Sequence, residues 1–307
     1  MFTDFSPQTN LSNLKSTLAE YGVAVLPGVI SGVECNNLRQ TLMNYISNDL
    51  NISLPNDFEK LKPLKGGIMR HYGISLLKEV LDLKTDERVK RPYEEIWNQR
   101  ELTTSFDSVF FGPPPEQLSD NYFFDENRTW FHLDQASNKR DMCCVQGFIN
   151  CEDTQPGDGC LSVLDKSHLF FNEFYDTFKI DTHGKDWFLL NQVIHVDWFK
   201  SKGCEWKTIM APKRSMVFWD SRVVHMGTAP RKGRPSPNWR ILAYVCYTPA
   251  QLQSRNDAKL KRNAFVDNKC TAHWPYSVRV FDNKINGFDK KNNLKDLCER
   301  QKMLFGI

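Results

Sequence analysis

Two short segments far apart in the chain carry side chains suited to one metal ion, and this restricts the folds open to the chain. The first contains His132-Leu133-Asp134, and the second ends at His225. In an extended strand the side chains at i and i+2 point the same way, so His132 and Asp134 can face one ion while Leu133 turns into the wall. The third ligand then has to come from a strand that the fold brings alongside.

This set of ligands predicts a ferrous centre. Two imidazoles and one carboxylate occupy one face of an iron ion and leave the opposite face open, as in non-haem Fe(II) oxygenases. We therefore predict that His132, Asp134 and His225 bind the metal. No catalytic side chain is predicted beyond this metal centre.

A second His-x-Asp sequence, His195-Val196-Asp197, competes with the first. The first is followed by a buried-strand pattern at 142–149, whereas the second lies in an aromatic, lysine-rich stretch that is typical of an insertion. The segment 195–225 is also too short to hold the several strands that normally separate such ligands. We predict that His132 binds the metal and that His195 is a surface or lid histidine.

Composition restricts the chain only broadly. Its 307 residues are enough for a sizeable core, and a hydrophobic content of 40% is ordinary for a soluble globular protein. The slight net charge of +3 neither requires nor excludes a nucleic-acid partner. No apolar run approaches the roughly 20 residues of a membrane span. The first residues do not resemble a signal peptide and the last do not resemble a peroxisomal signal. The odd number and scattered placement of the nine cysteines favour reduced thiols, so we expect a cytoplasmic protein.

Helices precede the strands in the predicted order of elements. A short first helix is expected to stop at Gly22, and Ser31 with Glu34 forms a capping box for the next one. The predicted buried stripe of that second helix consists of Val33, Leu38, Leu42 and Ile46. Beyond residue 129 the chain reads as short strands separated by turns, which predicts a barrel or sandwich. These predicted strands are 142–149, 160–164, 215–219 and 238–247, and 215–219 is the one expected to deliver His225.

Aromatic residues and lysines alternate through the segment 169–207. Such a mixture could stack nucleic-acid bases, but a partly buried flap is the interpretation that we favour. We therefore expect a small-molecule substrate rather than a nucleic-acid partner.

The order of these motifs resembles the phytanoyl-CoA dioxygenase family of iron- and 2-oxoglutarate-dependent oxygenases. Segment 21–28 resembles the opening strand of the family, and 132–135 resembles its metal motif. Segment 157–168 resembles the family's glycine-containing turn, with Asp165-Lys166 replacing Pro-Gly. Segment 219–225 resembles the distal histidine strand, and Arg240 resembles the arginine that binds 2-oxoglutarate.

The resemblance implies a mainly β fold, a double-stranded β-helix or jelly roll with flanking helices, in a single domain over residues 1–307. Within it we expect a mainly helical buttress at 1–103 and a β-helix core at 104–248. The core would contain the aromatic insertion 169–207, and a helical extension would occupy 249–307. The implied cofactors are Fe(II), 2-oxoglutarate as co-substrate, and O2, with succinate and CO2 as products.

The implied reaction is hydroxylation of a small organic or lipid-like substrate. Halogenating relatives keep a small residue at the position of Asp134, so a carboxylate there argues against halogenation. A catalytically silent β-helix binding protein, and an oxygenase acting on nucleic acid or protein, stay open as alternatives. The identity of the substrate and the oligomeric state cannot be deduced from the sequence.

Arg240 is the predicted partner of the far carboxylate of 2-oxoglutarate. Alternation along its strand sets it on one face with Leu242 and Tyr244, and a guanidinium suits a bidentate contact with a carboxylate. Arg231 and Arg234 are expected in a hairpin tip that meets solvent, and Arg222 is out of phase with His225.

Four further polar residues receive weaker assignments. Gln146 is a candidate cofactor contact from a neighbouring strand, although an ordinary polar role in that strand would explain it equally well. Ser167, His168 and His71 are interpreted as structural.

Overall fold

Two β-sheets with a layer of helices make up the structure, a computed structural model that describes residues 2–61, 66–118, 129–282 and 290–307. The strands are β1 (Thr3–Phe5), β2 (Val23–Leu26), β3 (Ile68–Met69), β4 (Leu102–Thr104), β5 (Val109–Gly112), β6 (His132–Leu133), β7 (Val145–Asn150), β8 (Cys160–Leu164), β9 (Phe188–Leu189), β10 (Trp206–Ile209), β11 (Met216–Asp220), β12 (His225–Thr228) and β13 (Arg240–Pro249). The α-helices are α1 (Leu14–Tyr21), α2 (Gly32–Asn44), α3 (Lys78–Lys84), α4 (Glu87–Trp97), α5 (Phe171–Phe178), α6 (Val193–Ser201), α7 (Arg255–Val266) and α8 (Glu299–Phe305).

The strands form two mostly antiparallel sheets, and the predicted fold class, a mainly β jelly roll with flanking helices, is confirmed. One sheet has the order β1-β10-β8-β12-β6-β9, and the other has the order β2-β11-β7-β13-β5-β3, with β4 paired to β13. Apolar side chains from both sheets, such as Phe148 and Val217 from one and Leu161 and Val163 from the other, share a single buried cluster. The two sheets therefore face each other across a common core.

Local signals set the start of the chain as predicted. Helix α1 ends at Gly22, whose φ of +74° is the left-handed conformation that glycine adopts most easily. Helix α2 begins with the predicted capping box of Ser31 and Glu34. Its buried stripe differs from the prediction in two ways. Val33 is 67% exposed and Cys35 takes the buried place, and the buried Ile46 lies in the π-helical turn Tyr45–Asp49 that follows α2.

Helices α1 to α4 pack on the outer face of the sheet that contains β7 and β13. Tyr93 of α4 donates a hydrogen bond from its hydroxyl to the carbonyl oxygen of Val245 in β13, over 2.7 Å. Gly147 in β7 permits this close approach, because a Cβ atom there would lie 2.6 Å from the Tyr93 hydroxyl. Tyr93 thus links α4 to β13 and packs closely against β7.

The aromatic insertion packs on the outside of the other sheet. Phe171, Phe174 and Phe199 are buried in one cluster with Leu133 and Leu164. Strand β9 pairs with β6, so the insertion extends the sheet next to His132. Because most of these rings fill their own small core, the base-stacking interpretation has no support from their packing.

Two predicted elements differ from the observed ones. The strand predicted from residue 142 begins only at Val145. The segment predicted to deliver His225 is β11, which ends at Asp220, and His225 opens a separate strand in the opposite sheet. None of the helices in the described residues has the length and apolar character that crossing a membrane requires.

Candidate metal centre

The three predicted metal ligands meet at one place. His132 in β6 and His225 in β12 are cross-strand partners, and their ring centroids lie 4.2 Å apart. Asp134 follows β6, where its amide donates to the carbonyl oxygen of Ser221 over 3.1 Å. Its carboxylate oxygens lie 3.6 Å from His132 Nε2 and 3.3 Å from His225 Nε2. One ligand atom from each of the three residues falls within 4.8 Å of the others, so they could share one ion.

Backbone carbonyls orient both imidazoles for metal binding. His132 Nδ1 lies 3.0 Å from the carbonyl oxygen of Trp130, and His225 Nδ1 lies 2.9 Å from that of Val223. A carbonyl oxygen only accepts hydrogen bonds, so each Nδ1 carries the proton. The lone pair is then on Nε2, which points towards Asp134 in both residues.

Asp134 stays ionised although it is buried. Burial by itself raises the pKa of this carboxyl, but the charge of His132 in its protonated form and hydrogen bonds from protonated His132 and His225 lower the pKa well below its ordinary value. Gln146 Nε2 also donates a hydrogen bond to Asp134 Oδ2 over 3.0 Å. A negative charge between two imidazoles is what a divalent cation requires of such a site.

The turn between β11 and β12 fixes the position of His225. Ser167 Oγ accepts a hydrogen bond from the amide of Val224 over 2.9 Å. His168 Nε2 donates to the carbonyl oxygen of Ala19 over 3.0 Å, so its contact is with α1. The Arg222 guanidinium pairs with Asp220 at 2.7 Å and is therefore committed to this turn.

A cavity of about 730 Å³ opens above the three ligands. Its apolar lining includes Phe110, Phe148, Trp219 and Tyr244. Trp130, which the sequence analysis did not single out, stacks on His132 with a centroid distance of 4.6 Å and donates from Nε1 to the carbonyl oxygen of Gly227. A cavity of this size and character suits a small organic molecule.

Arg240 faces the cavity as its strand alternation predicts. It begins β13, and its guanidinium lies 4.5 Å from the centroid of the Phe110 ring. It makes no ion pair with any residue that the structure describes. A cation with an apolar neighbour and no carboxylate partner is suited to an anionic ligand.

In the hairpin before β13, the predicted solvent exposure is right for one arginine and wrong for the other. Arg231 is exposed, as predicted. Arg234 was expected to meet solvent, which is wrong, because its side chain is only 5% exposed and pairs with Asp158 at 2.6 Å and Glu116 at 2.9 Å. The burial of this guanidinium follows from its ion pairs with Asp158 and Glu116, which lie on other segments of the chain.

The competing histidine lies elsewhere. His195 is in helix α6, where residues at i and i+2 face different directions. It is buried between Phe174 and Phe178, and this burial lowers its pKa. The prediction of a surface or lid histidine is therefore wrong, since the ring belongs to the core of the insertion. His71 is half-buried and is absent from the cavity lining.

One wall of the cavity was missed by sequence reasoning. Residues 270–281 fold back as a hairpin, in which the amide of Ala272 donates to the carbonyl oxygen of Arg279 and that of Phe281 to Cys270. We call residues 270–281 the C-terminal hairpin. It lines the cavity with His273, Trp274 and Arg279, among others. The adjoining His273-Trp274-Pro275 was visible in the sequence, but no local signal placed it beside residues that precede it by more than a hundred positions.

Comparison with known proteins agrees with this architecture. The model of the phytanoyl-CoA dioxygenase (PhyH) family matches residues 18–234. Ava biosynthesis cluster protein O of Aspergillus versicolor is 25% identical over 214 residues, which are 67% of this chain and 66% of that relative. The chain thus spans slightly less than two thirds of the length of this relative.

Two solved structures share the fold at low sequence identity. GlcNAc Inducible Gene 2 of Candida albicans matches with a TM-score of 0.62 and 14% identity, over 98% of this chain and 79% of that one. EctD from S. alaskensis, solved with bound Fe, matches with a TM-score of 0.53 and 12% identity, over 82% of this chain and 81% of that one.

Because the family model covers most of the chain, the chain belongs to the phytanoyl-CoA dioxygenase family.

Proposed function

We propose that this member of the family is an Fe(II)- and 2-oxoglutarate-dependent dioxygenase that hydroxylates a small organic molecule and releases succinate and CO2. The observation that carries the proposal is the meeting of His132, Asp134 and His225 within 4.8 Å at the base of a cavity. The alternative of a silent binding protein has less support, because the three ligands and Arg240 are all present and oriented.

The side chains fit an iron ion and its co-substrate by their chemistry. His132 and His225 would bind Fe(II) through Nε2, and Asp134 would bind it through a carboxylate oxygen. Arg240 would hold the far carboxylate of 2-oxoglutarate. EctD, which shares the fold, has been solved with bound Fe and with 2-oxoglutarate, and we extend this pair of ligands to the present site. When bound, the iron would activate O2, and decarboxylation of 2-oxoglutarate would supply the two electrons that leave one of the two oxygen atoms for the substrate.

The rest of the cavity has the task of holding the substrate and excluding water. Trp130, Phe148 and Trp219 form apolar surface beside the ligands, which favours a dry site. Asp134 supplies a carboxylate where halogenating relatives keep a small residue, so we propose hydroxylation. We further propose that residues 1–307 work as one catalytic domain, with the β-helix core holding the iron.

Anaerobic titration tests the proposal directly. Purified protein is titrated with Fe(II) and then with 2-oxoglutarate, and we expect stoichiometric binding of both. Succinate release is then screened against pooled metabolites in air, with mass detection of an added oxygen atom. Binding of neither Fe(II) nor 2-oxoglutarate would contradict the proposal, whereas binding of both without succinate release under any pool would favour the silent binding protein.

A further inference from the structure

The carboxylates and the arginines on the cavity lining differ in whether they have ion-pair partners. Each carboxylate has an ion-pair or hydrogen-bond partner, as Asp158 does with Arg234 and Asp186 does with Lys139. Arg70 and Arg279 also line the cavity, yet neither makes an ion pair with a residue in the described ranges. Among the residues that the structure describes, the charge left without a partner on this lining is therefore positive.

Arg70 and Arg279 lie on the same side of the cavity. Their Cζ atoms are 4.2 Å and 5.5 Å from the centroid of the Phe281 ring. A guanidinium held against an aromatic face keeps its N–H edge available for an oxyanion. Arg70 Nε is buried and has no hydrogen-bond partner among the residues described. Two cations placed together without a counter-ion repel each other, and a bound anion would remove that cost.

The C-terminal hairpin supplies Arg279 and Phe281 and faces the metal centre. His273 Nε2 and Trp274 Nε1, both on this hairpin, are buried and lack hydrogen-bond partners in the described part of the chain. The hairpin lies outside residues 18–234, so the family match does not account for it. The hairpin therefore brings unpartnered polar groups to the cavity lining beside Arg279.

We propose that Arg70 and Arg279 bind an oxyanion of the substrate, so that the enzyme acts on a small molecule bearing a carboxylate or a phosphate ester. This inference rests on the proposed function, because it names the class of molecule that the same site would oxidise. Because we assign Arg240 to 2-oxoglutarate, Arg70 and Arg279 are left to bind a second anion. The apolar lining around Phe110 and Phe148 would take the uncharged part of that molecule.

Matched probes test the charge preference. Calorimetry measures the binding of octanoate, octyl phosphate and octanamide, and of 3-phenylpropanoate and its amide, to the full chain under anaerobic conditions. The protein is saturated with Fe(II) and 2-oxoglutarate so that Arg240 is occupied. We expect at least one anion to bind about tenfold or more tighter than its amide, since a hydrogen bond to a charged group is stronger than one to a neutral group. The tighter of octanoate and octyl phosphate identifies the preferred anion.

Variants test whether Arg70 and Arg279 cause the preference for an anion over its amide. The double exchange Arg70→Gln and Arg279→Gln should bring the anion-to-amide ratio close to one, while 2-oxoglutarate affinity stays as in the wild type. Arg231→Gln is the matched control, because Arg231 is exposed in the hairpin before β13, and it should keep the ratio. Equal binding of acids and amides, no binding of any anion, or a ratio that survives the double exchange would overturn the inference. Failure of Fe(II) and 2-oxoglutarate to bind is a separate result, which contradicts the proposed function.

Discussion

Gln146 Nε2 donates a hydrogen bond to Asp134 Oδ2 over 3.0 Å, so a side chain of the central strand β7 orients the only carboxylate of the metal centre. The same amide nitrogen lies 3.3 Å from Ser221 Oγ. The backbone of Ser221 in turn accepts a hydrogen bond from the amide of Asp134. The carboxylate is thus held by β7 and by the turn after β11 before any metal binds.

We expect Gln146→Leu to lower the affinity for Fe(II) by about 10- to 100-fold, the usual effect of removing a residue that orients a metal ligand. Affinity for 2-oxoglutarate at saturating Fe(II) should change little. Anaerobic titration of each ligand separates the two effects, and Gln40→Leu on the exposed face of α2 is the control. If 2-oxoglutarate affinity falls while Fe(II) affinity holds, Gln146 contacts the cofactor directly, as its position in the sequence also allowed.

Alanine exchanges at His132, Asp134 or His225 should each abolish iron-dependent succinate release and leave the thermal transition in place. Each exchange removes one of three ligands, and a two-ligand remnant holds Fe(II) weakly. His183→Ala is the control, because that side chain is 80% exposed. Retention of Fe(II) binding by His132→Ala, together with its loss in His195→Ala, would show that the wrong His-x-Asp sequence was chosen.

Sequence patterns revealed the parts of this site that local rules control. Strand alternation placed His132 and Asp134 together and turned Arg240 inward, and the capping box marked the start of α2. Each of these depends on residues only two to four positions apart. Such local signals do not depend on contacts with distant parts of the chain.

The features that the sequence did not reveal depend on contacts between distant segments. Arg234 is buried because Asp158 and Glu116 reach it from other elements. His195 is buried because the insertion forms its own aromatic core. The C-terminal hairpin reaches the cavity only because the sheets bring together residues that are more than a hundred positions apart. Hydrophobic periodicity does not predict such long-range contacts.

Gly22→Ala should destabilise the protein more than Gly28→Ala. Both glycines have a left-handed backbone, with φ of +74° and +72°, so both exchanges incur about 1–2 kcal/mol of strain. A Cβ atom at Gly22 would also lie 2.2 Å from Val223 Cγ2, whereas one at Gly28 meets nothing within 4 Å. Overpacking should add about 1–3 kcal/mol at Gly22. Denaturant unfolding measures both, and equal losses would mean that the turn carrying Val223 yields freely.

Lys261 should make the free energy of unfolding rise with pH above neutrality. Its ammonium is buried, where it donates to Thr103 Oγ1 and to the carbonyl oxygen of Thr104, and burial lowers its pKa to about 7. The unfolded chain keeps the proton up to about pH 10.4. Between these values the unfolded state binds more protons, so stability increases with pH. Unfolding of wild type and Lys261→Met at pH 7 and 8.5 tests this, and the wild type should gain more. An equal change in both proteins would contradict the assignment.

Arg240 should set the affinity for 2-oxoglutarate and leave iron binding unchanged. Loss of one partner of a desolvated charge pair typically costs about 3–5 kcal/mol, or about a hundredfold or more at tenfold per 1.4 kcal/mol. Arg240→Ala should therefore raise the 2-oxoglutarate concentration for half-maximal succinate release by about a hundredfold. Arg240→Lys keeps the charge without the planar fork and should fall between. Anaerobic Fe(II) affinity without 2-oxoglutarate should match the wild type. Arg231→Ala is the control, since Arg234 has structural ion pairs that make it unsuitable. If Arg70→Ala reproduces the loss while Arg240→Ala keeps normal dependence, the cofactor carboxylate binds at Arg70 instead.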